Sequence, residues 1–201
     1  ENLKYESYLL ISNKKFTISV NTESDQKIYL AEQNFNNEPK NDLFEKLDIF
    51  LNENVFKIEK KLKNFIEKVS VILDLDIFFP IEISVKKNIN QDEINTKILN
   101  HLAYEAKNCC KKSLENKKII HMFIKNYKVN NQSYSNFPND INGESLSLDI
   151  KFIAIDEAHI KKIEKILKKY QISLHKILNA NYVENFLSEN ETNIFLMAKK
   201  I

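Results

Sequence analysis

The chain reads as an α/β protein. Apolar residues alternate with polar ones in some stretches and recur every three or four positions in others, so strands and helices are both encoded. The 43% hydrophobic content is enough for a real core in 201 residues, as one ordinary domain or two small subdomains. Only one glycine and three prolines interrupt the pattern.

From the amino terminus, Leu10, Phe16, Ile18 and Val20 alternate, and Ile28 with Leu30 adds a third short run, so strands are expected between Tyr8 and Leu30. A polar loop follows, Gln33 to Asn41. The period then changes. Phe44, Leu47, Leu51, Val55, Ile58, Leu62 and Phe65 fall on one face of a long helix, which Asn41 or Asp42 would cap. Val69 to Leu73 is a short apolar strand. Pro80 breaks the chain ahead of another alternating run, Ile81, Ile83 and Val85, and marks a first subdomain boundary.

Asn90 with Glu93 suits a capping box for a second helix, whose buried face is Ile94, Ile98, Leu102 and Ala106. A strand is expected over Ile119 to Ile124. Asn130 and Asn131 suit a tight hairpin with positive φ. Leu146, Leu148, Ile150 and Phe152 alternate on the next strand, and Gly143, after Asn142, reads as a turn or bulge with positive φ. A further helix turns Ile160, Ile163, Leu167 and Tyr170 inward and Lys161, Lys162, Lys165, Lys168 and Lys169 outward, a row that reads as a solvated face.

Charge excludes several function classes. All thirty basic residues are lysine, against twenty-eight acidic ones, so no basic field and no arginine reader of guanine exists; nucleic acid is not an expected partner. Cys109 and Cys110 are adjacent in a helix, where a disulfide would be strained, and read as reduced thiols of a cytoplasmic protein. His101, His121, His159 and His175 lie far apart without metal-ligand spacing. No catalytic triad spacing stands out, and Asp149 with Lys151 reads as a surface pair. No apolar run reaches the ~20 residues of a membrane span, and no signal peptide is seen. The chain opens on Glu1 and closes at Ile201, and both ends are expected to be trimmed.

One stretch is more specific. Ile119, Ile120, His121, Met122, then Tyr127, Val129, Gln132, Pro138, Ile141 and Gly143, precede the strand Ser145 to Ile155, a Lys-rich helix and the run Ile172 to Leu187. This order resembles the FtsA family of actin-like bacterial cell-division proteins. That family has a Tyr-x-Val-Asp-Gly-Gln hairpin and a Pro-x-Gly-Met-x-Gly loop; here Asn130 and Asn131 replace Asp-Gly, and Asp140 replaces the first glycine of the later loop. Leu9 to Val20 falls where the family has its first phosphate loop. Ile89 to Ile94 is similar to the start of the family's inserted helix, and Tyr170 to Asn179 to a later strand entry.

The resemblance implies an actin-like, ribonuclease H-like half-domain, 1–80 and 156–201, with a strand-helix-strand-strand subdomain, 81–155, inserted. It also implies a lost function. At Leu10, Ile11, Ser12, Asn13, Lys14 and Lys15 the phosphate loop lacks its glycine and its acid, and Asn190 to Ile201, where a second phosphate loop belongs, has no glycine. No cofactor, no metal and no catalysis are therefore expected. The expected role is that of a division-site adaptor, cytoplasmic at the inner face of the membrane. Its partners would be FtsA-type neighbours and an FtsN-like tail, bound through Tyr127, Val129, Gln132, Tyr134 and Phe137; homo-oligomers are compatible with this. Membrane association would come only through a partner or a missing tail. A PilM-like pilus assembly adaptor and a fragment of an actin-like ATPase are the alternatives.

Overall fold

The computed structural model describes residues 4–36, 43–89, 94–111, 113–138, 141–186 and 193–201. The caps expected at Asn41, Asp42, Asn90 and Glu93, the substitution at Asp140 and the start of the second phosphate loop, 190–192, lie outside the described residues. The chain divides into two compact units, 1–77 with 158–201, and 78–157.

The first unit is built on a five-stranded sheet. Its strands are β1 (Tyr5–Ser12), β2 (Lys15–Thr22), β3 (Lys27–Asn34), β4 (Lys68–Asp74) and, much later in the chain, β9 (Ser173–Asn179), in the order β3-β2-β1-β4-β9. The first three pair antiparallel, with Leu9 opposite Ile18 and Ile18 opposite Ala31. From β1 to β4 and from β4 to β9 the pairing is parallel, with Leu9 beside Val71 and Val71 beside Ile177. Central β1 and β4 are buried on both faces, which is why Tyr8 to Ile11 and Val71 to Leu73 read as unbroken apolar runs and not as alternation.

Helix α1 (Leu43–Leu62) buries Leu47, Phe50, Leu51, Val55, Ile58 and Leu62, and the Phe16 and Phe50 rings meet 5.7 Å apart. The helical row ends sooner than its period suggested: Phe65 lies beyond the helix and is exposed, and Ile66 is buried in its place. Helix α3 (Glu157–Lys169) buries Ile160, Ile163, Ile166 and Leu167. The Tyr170 hydroxyl donates to Asp48 of α1 at 2.8 Å, and Lys169 pairs with the same carboxylate. A second cluster joins Tyr8, Leu10, Ile72 and Leu178 to Val183 of α4 (Ala180–Phe186) and to Phe195, Met197 and Ala198 of α5 (Ile194–Lys199).

The second unit is an antiparallel sheet under one helix. Strands β5 (Phe78–Asn88), β6 (Lys117–Val129), β7 (Gln132–Tyr134) and β8 (Ser145–Asp156) stand in the order β5-β8-β6-β7. Short β7 adds one strand to the expected strand-helix-strand-strand pattern. Helix α2 (Thr96–Lys111) sets Leu102, Ala106 and Cys110 against Leu146, Leu148, Ile150 and Phe152 of β8. Among the described residues its cap is Asn95, whose Oδ1 accepts from the Lys97 and Ile98 amides at 3.0 and 3.2 Å. Pro80 does not precede β5 but lies within it, opposite Ile153; β5 is an edge strand, where a missing N–H is tolerated.

Candidate functional site

The β1–β2 turn is the place to look for phosphate chemistry. Leu10 is committed to the cluster under α4 and α5, and Ile11 is fully buried. Ser12 closes the turn on itself. Its Oγ accepts from the Lys14 amide at 3.2 Å and from the Lys15 amide at 2.9 Å, and donates to the Lys15 carbonyl at 2.9 Å. The Lys14 carbonyl accepts from the Phe35 amide at 2.8 Å. Lys15 reaches across to Glu32 at 2.9 Å, and that ammonium, with Asn34 and Thr17, holds the Glu32 carboxyl below its ordinary range. Both turn amides and the Lys15 charge are thus engaged within the hairpin, while Asn13 and Lys14 are exposed. A phosphate cradle needs such amides turned outward together.

A polar cavity of about 170 Å³ opens at the opposite end of the same strands, lined by Glu6, Ser7, Lys68, Ser70, His175 and Lys176 among others. His175 is the extra residue where the β4–β9 register slips. Burial, then the neighbouring Lys68 and Lys176, lower its pKa. At the rim Lys199 binds Asp25 at 2.7 Å and the Glu23 carbonyl at 2.6 Å. Sequence reasoning missed this cluster because its members lie on five separate segments and share no spacing.

In the second unit the residues proposed for partner contact sit differently from one another. Val129 is 3% exposed and belongs to the core, so the β6 end offers no valine to a partner. The Tyr127 and Phe137 rings meet at 5.7 Å between centres, tilted by 58°, and, with Tyr134, cover that core under their own loop; Gln132 is exposed. Asn130 and Asn131 have φ of 49° and 70°, and Asn130 Oδ1 accepts from the Glu144 and Ser145 amides at 2.8 and 3.2 Å. Gly143 corrects the expectation of positive φ, since its φ is not positive. Its role is proximity: a Cβ there would stand 2.6 Å from Val129 Cγ1.

The open face of this sheet carries a lattice of charges. Asp149 does not pair with Lys151 but with Lys128 at 2.8 Å and Ser84 at 2.6 Å, and these, Lys128 first, hold its carboxyl below the usual range. Glu82 takes Lys125 at 3.1 Å and Lys151 at 3.9 Å. His121 is buried, which pulls its pKa down to about 4. Met122 on β6 is exposed, and β7 flanks only the Tyr127–Val129 end of that strand, leaving the rest at the sheet edge.

Cys109 and Cys110 are free thiols, one exposed and one buried, and burial raises the Cys110 pKa. Among the described residues no group of three His, Cys, Asp or Glu could hold a metal ion. None of the described helices is long and apolar enough to cross a membrane.

No family model matches the chain, and no curated protein matches it in sequence. Solved structures do match. A chain of the PilM–PilN type IV pilus biogenesis complex superposes with a TM-score of 0.53 at 10% identity, over 91% of this chain and 49% of that one. The cytoplasmic domain of EpsL, an inner-membrane component of the Vibrio cholerae type II secretion system, gives 0.44 at 11% identity, over 94% and 59%. A Bacteroides thetaiotaomicron protein described as having an actin-like ATPase fold and unknown function gives 0.39 at 14%, over 92% and 56%. The chain therefore spans between about half and three-fifths of the structures it matches. Three antiparallel strands continued by two parallel ones, with a separate sheet-and-helix unit inserted between β4 and β9, define a mixed α/β protein of divided sheet. That fold is shared with the matched chain of the PilM–PilN complex.

Proposed function

We propose that this chain is part of a non-catalytic, actin-like adaptor that works by binding other proteins. The observation that carries the reading is the β1–β2 turn, where Ser12 takes up the Lys14 and Lys15 amides that a phosphate would need. Titrating the purified chain with ATP and magnesium by calorimetry tests it. No binding heat is expected, and micromolar binding would overturn the reading.

The finer assignment concerns the assembly. The order of residues from Ile119 to Gly143 supports a division-site adaptor that meets FtsA-type neighbours and an FtsN-like tail through the inserted unit. The fold likeness to PilM within the PilM–PilN complex supports a pilus adaptor instead. In either setting the contact would use what the inserted unit exposes, Gln132 and Met122 with the β6 edge, while Tyr127, Tyr134 and Phe137 keep the loop in shape. Purified FtsN-like and PilN-like partners, each titrated against the full chain and against Met122→Lys and Gln132→Lys variants, separate the two assemblies. A partner that binds, and binds the variants less well, identifies the assembly; the inserted-unit reading fails if both variants bind like the parent.

A further inference from the structure

We propose that the polar cavity at the start of β1, β4 and β9 binds a small, doubly charged oxyanion of the phosphate type. The bulge in β9 builds it. Neighbouring residues of a regular strand point to opposite faces of a sheet, yet His175 and Lys176 both border this cavity of about 170 Å³. They can do so because β4 passes from Val69 beside Leu174 to Ser70 beside Lys176 and leaves His175 as the extra residue. Ser70 shares its face of the sheet with Lys176 across the ladder and with Lys68 two residues earlier on β4. A histidine, two ammonium groups and a hydroxyl are thereby brought to one place.

These groups are not used up by the protein. Ser70 is 7% exposed, and among the described residues its hydroxyl has no hydrogen-bond partner. A hydroxyl so placed takes its partner from what enters the cavity. Lys68 and Lys176 have no carboxylate within ion-pair distance among the described residues, and the Ser7 hydroxyl donates to the Lys68 carbonyl, which fixes the backbone under that lysine.

The other charged and titratable groups of the lining are engaged or lie at the rim. Glu6 accepts from the Tyr8 hydroxyl at 3.1 Å and takes Lys199 at 3.7 Å, and Lys199 is held more closely by Asp25 at 2.7 Å. The Tyr5 hydroxyl donates to the Phe65 carbonyl at 2.8 Å and accepts from the Glu67 amide at 2.9 Å. Glu23 is the remaining carboxylate, and it is exposed. It does not offset the lysines at the bulge: burial comes first among the causes that lower the His175 pKa, Lys68 and Lys176 follow, and no carboxylate opposes them.

Two ammonium groups without a counter-charge match a dianion, where a monocarboxylate would leave one of them unpaired. Lysine takes phosphate as a compact point charge and does not need the arginine fork that this chain lacks. Ser70 and a neutral His175 add one donor each. Pockets for larger ligands run from about 300 Å³ upward, so this one suits a phosphate group alone and not a whole nucleotide. Because Lys68, His175 and Lys176 are exposed, their contacts stay partly solvated, and the affinity expected is on the order of millimolar. The site is separate from the β1–β2 turn and does not rest on the adaptor reading; binding this weak leaves no micromolar signal in an ATP titration.

The full chain is titrated with inorganic phosphate at constant ionic strength and mildly alkaline pH, where phosphate is mostly the dianion, and the histidine ring signals are followed by NMR. A saturating shift of the His175 signal is expected, with His101, His121 and His159 unmoved and with no such shift from acetate. Bound phosphate also raises the His175 pKa by offsetting the two lysines, a response that a merely structural bulge would not give. Lys68→Gln and Lys176→Gln are each expected to weaken binding about fivefold, and Ser70→Ala about threefold, with thermal melts unchanged. Glycerol phosphate is the second probe: tighter binding than inorganic phosphate marks an ester as the natural ligand, weaker binding marks the free ion, and either result upholds the site. The proposal is overturned if phosphate leaves His175 unmoved, if acetate moves it equally, or if both glutamine variants bind like the parent.

Discussion

Gly143→Ala isolates a contact that the glycine makes by having no side chain. The new Cβ would stand 2.6 Å from Val129 Cγ1, nearly an ångström inside ordinary contact, with Asn130 Oδ1 and Ile94 Cδ1 at 3.5 and 3.6 Å closing the other directions. Val129 cannot give way cheaply. It is buried among Ile94, Leu146 and Leu148, and a β-branched side chain has little rotamer freedom. Overpacking of this kind costs about 1–3 kcal/mol. Because the φ of Gly143 is not positive, that cost comes from space and not from the backbone. A double-mutant cycle therefore reads it out. Val129→Ala alone removes two methyl groups, about 0.8 kcal/mol each by transfer, yet combined with Gly143→Ala it makes room for the new methyl. Urea unfolding of the four proteins should show the double variant less destabilised than the two single effects together, by about 1 kcal/mol or more. Additive effects, or a Gly143→Ala variant as stable as the parent, would refute the close-approach account.

Three further outcomes follow from the same structure. Ser12→Ala leaves the Lys14 and Lys15 amides to water and is expected to cost about 1–2 kcal/mol in urea unfolding; no loss would mean the hairpin closes without the hydroxyl. His121 has a folded pKa of about 4, below the ~6.5 of the unfolded chain, so the unfolded state binds more protons between those values. Its contribution is complete above pH 6.5 and is lost as pH falls towards 4, about 3 kcal/mol in all, and His121→Gln should flatten that part of the stability profile measured by urea titration. Tyr5→Phe removes the hydroxyl bridging Phe65 and Glu67 and should cost about 1 kcal/mol while speeding amide hydrogen exchange at Glu67; unchanged exchange would show that the turn is held by its other bonds.

Much of the architecture is legible in the sequence because burial imposes its period directly. Leu146, Leu148, Ile150 and Phe152 alternate since one face of β8 meets α2, and Leu47 to Leu62 repeat every three or four residues since one side of α1 meets the sheet. Where the period misleads, a boundary is the cause. Phe65 continues the arithmetic of the helix but falls after a left-handed Lys63, which ends the helix and sends Ile66 inward instead. Pro80 looks like a break from its chemistry, yet an edge strand has a side that needs no donor. The candidate site was less legible. The aromatic residues of the hairpin arm look like anchors in one dimension, and only folding shows Tyr127 and Phe137 packed over their own core.

By itself the sequence determined the alternation of strand and helix, the lysine-only basic chemistry and the absence of glycine from Leu10 to Lys15, because each is a local property of composition or spacing. Only the tertiary structure decided that Ser12 consumes the turn amides, that Gly143 exists to let Val129 in, and that Tyr5 holds Phe65 towards solvent. The three differ in range but share a reason. Which atom a polar group or a bare Cα meets is set by where folding brings the chain back on itself, and a Tyr5 hydroxyl sixty residues away from its acceptor leaves no periodic trace.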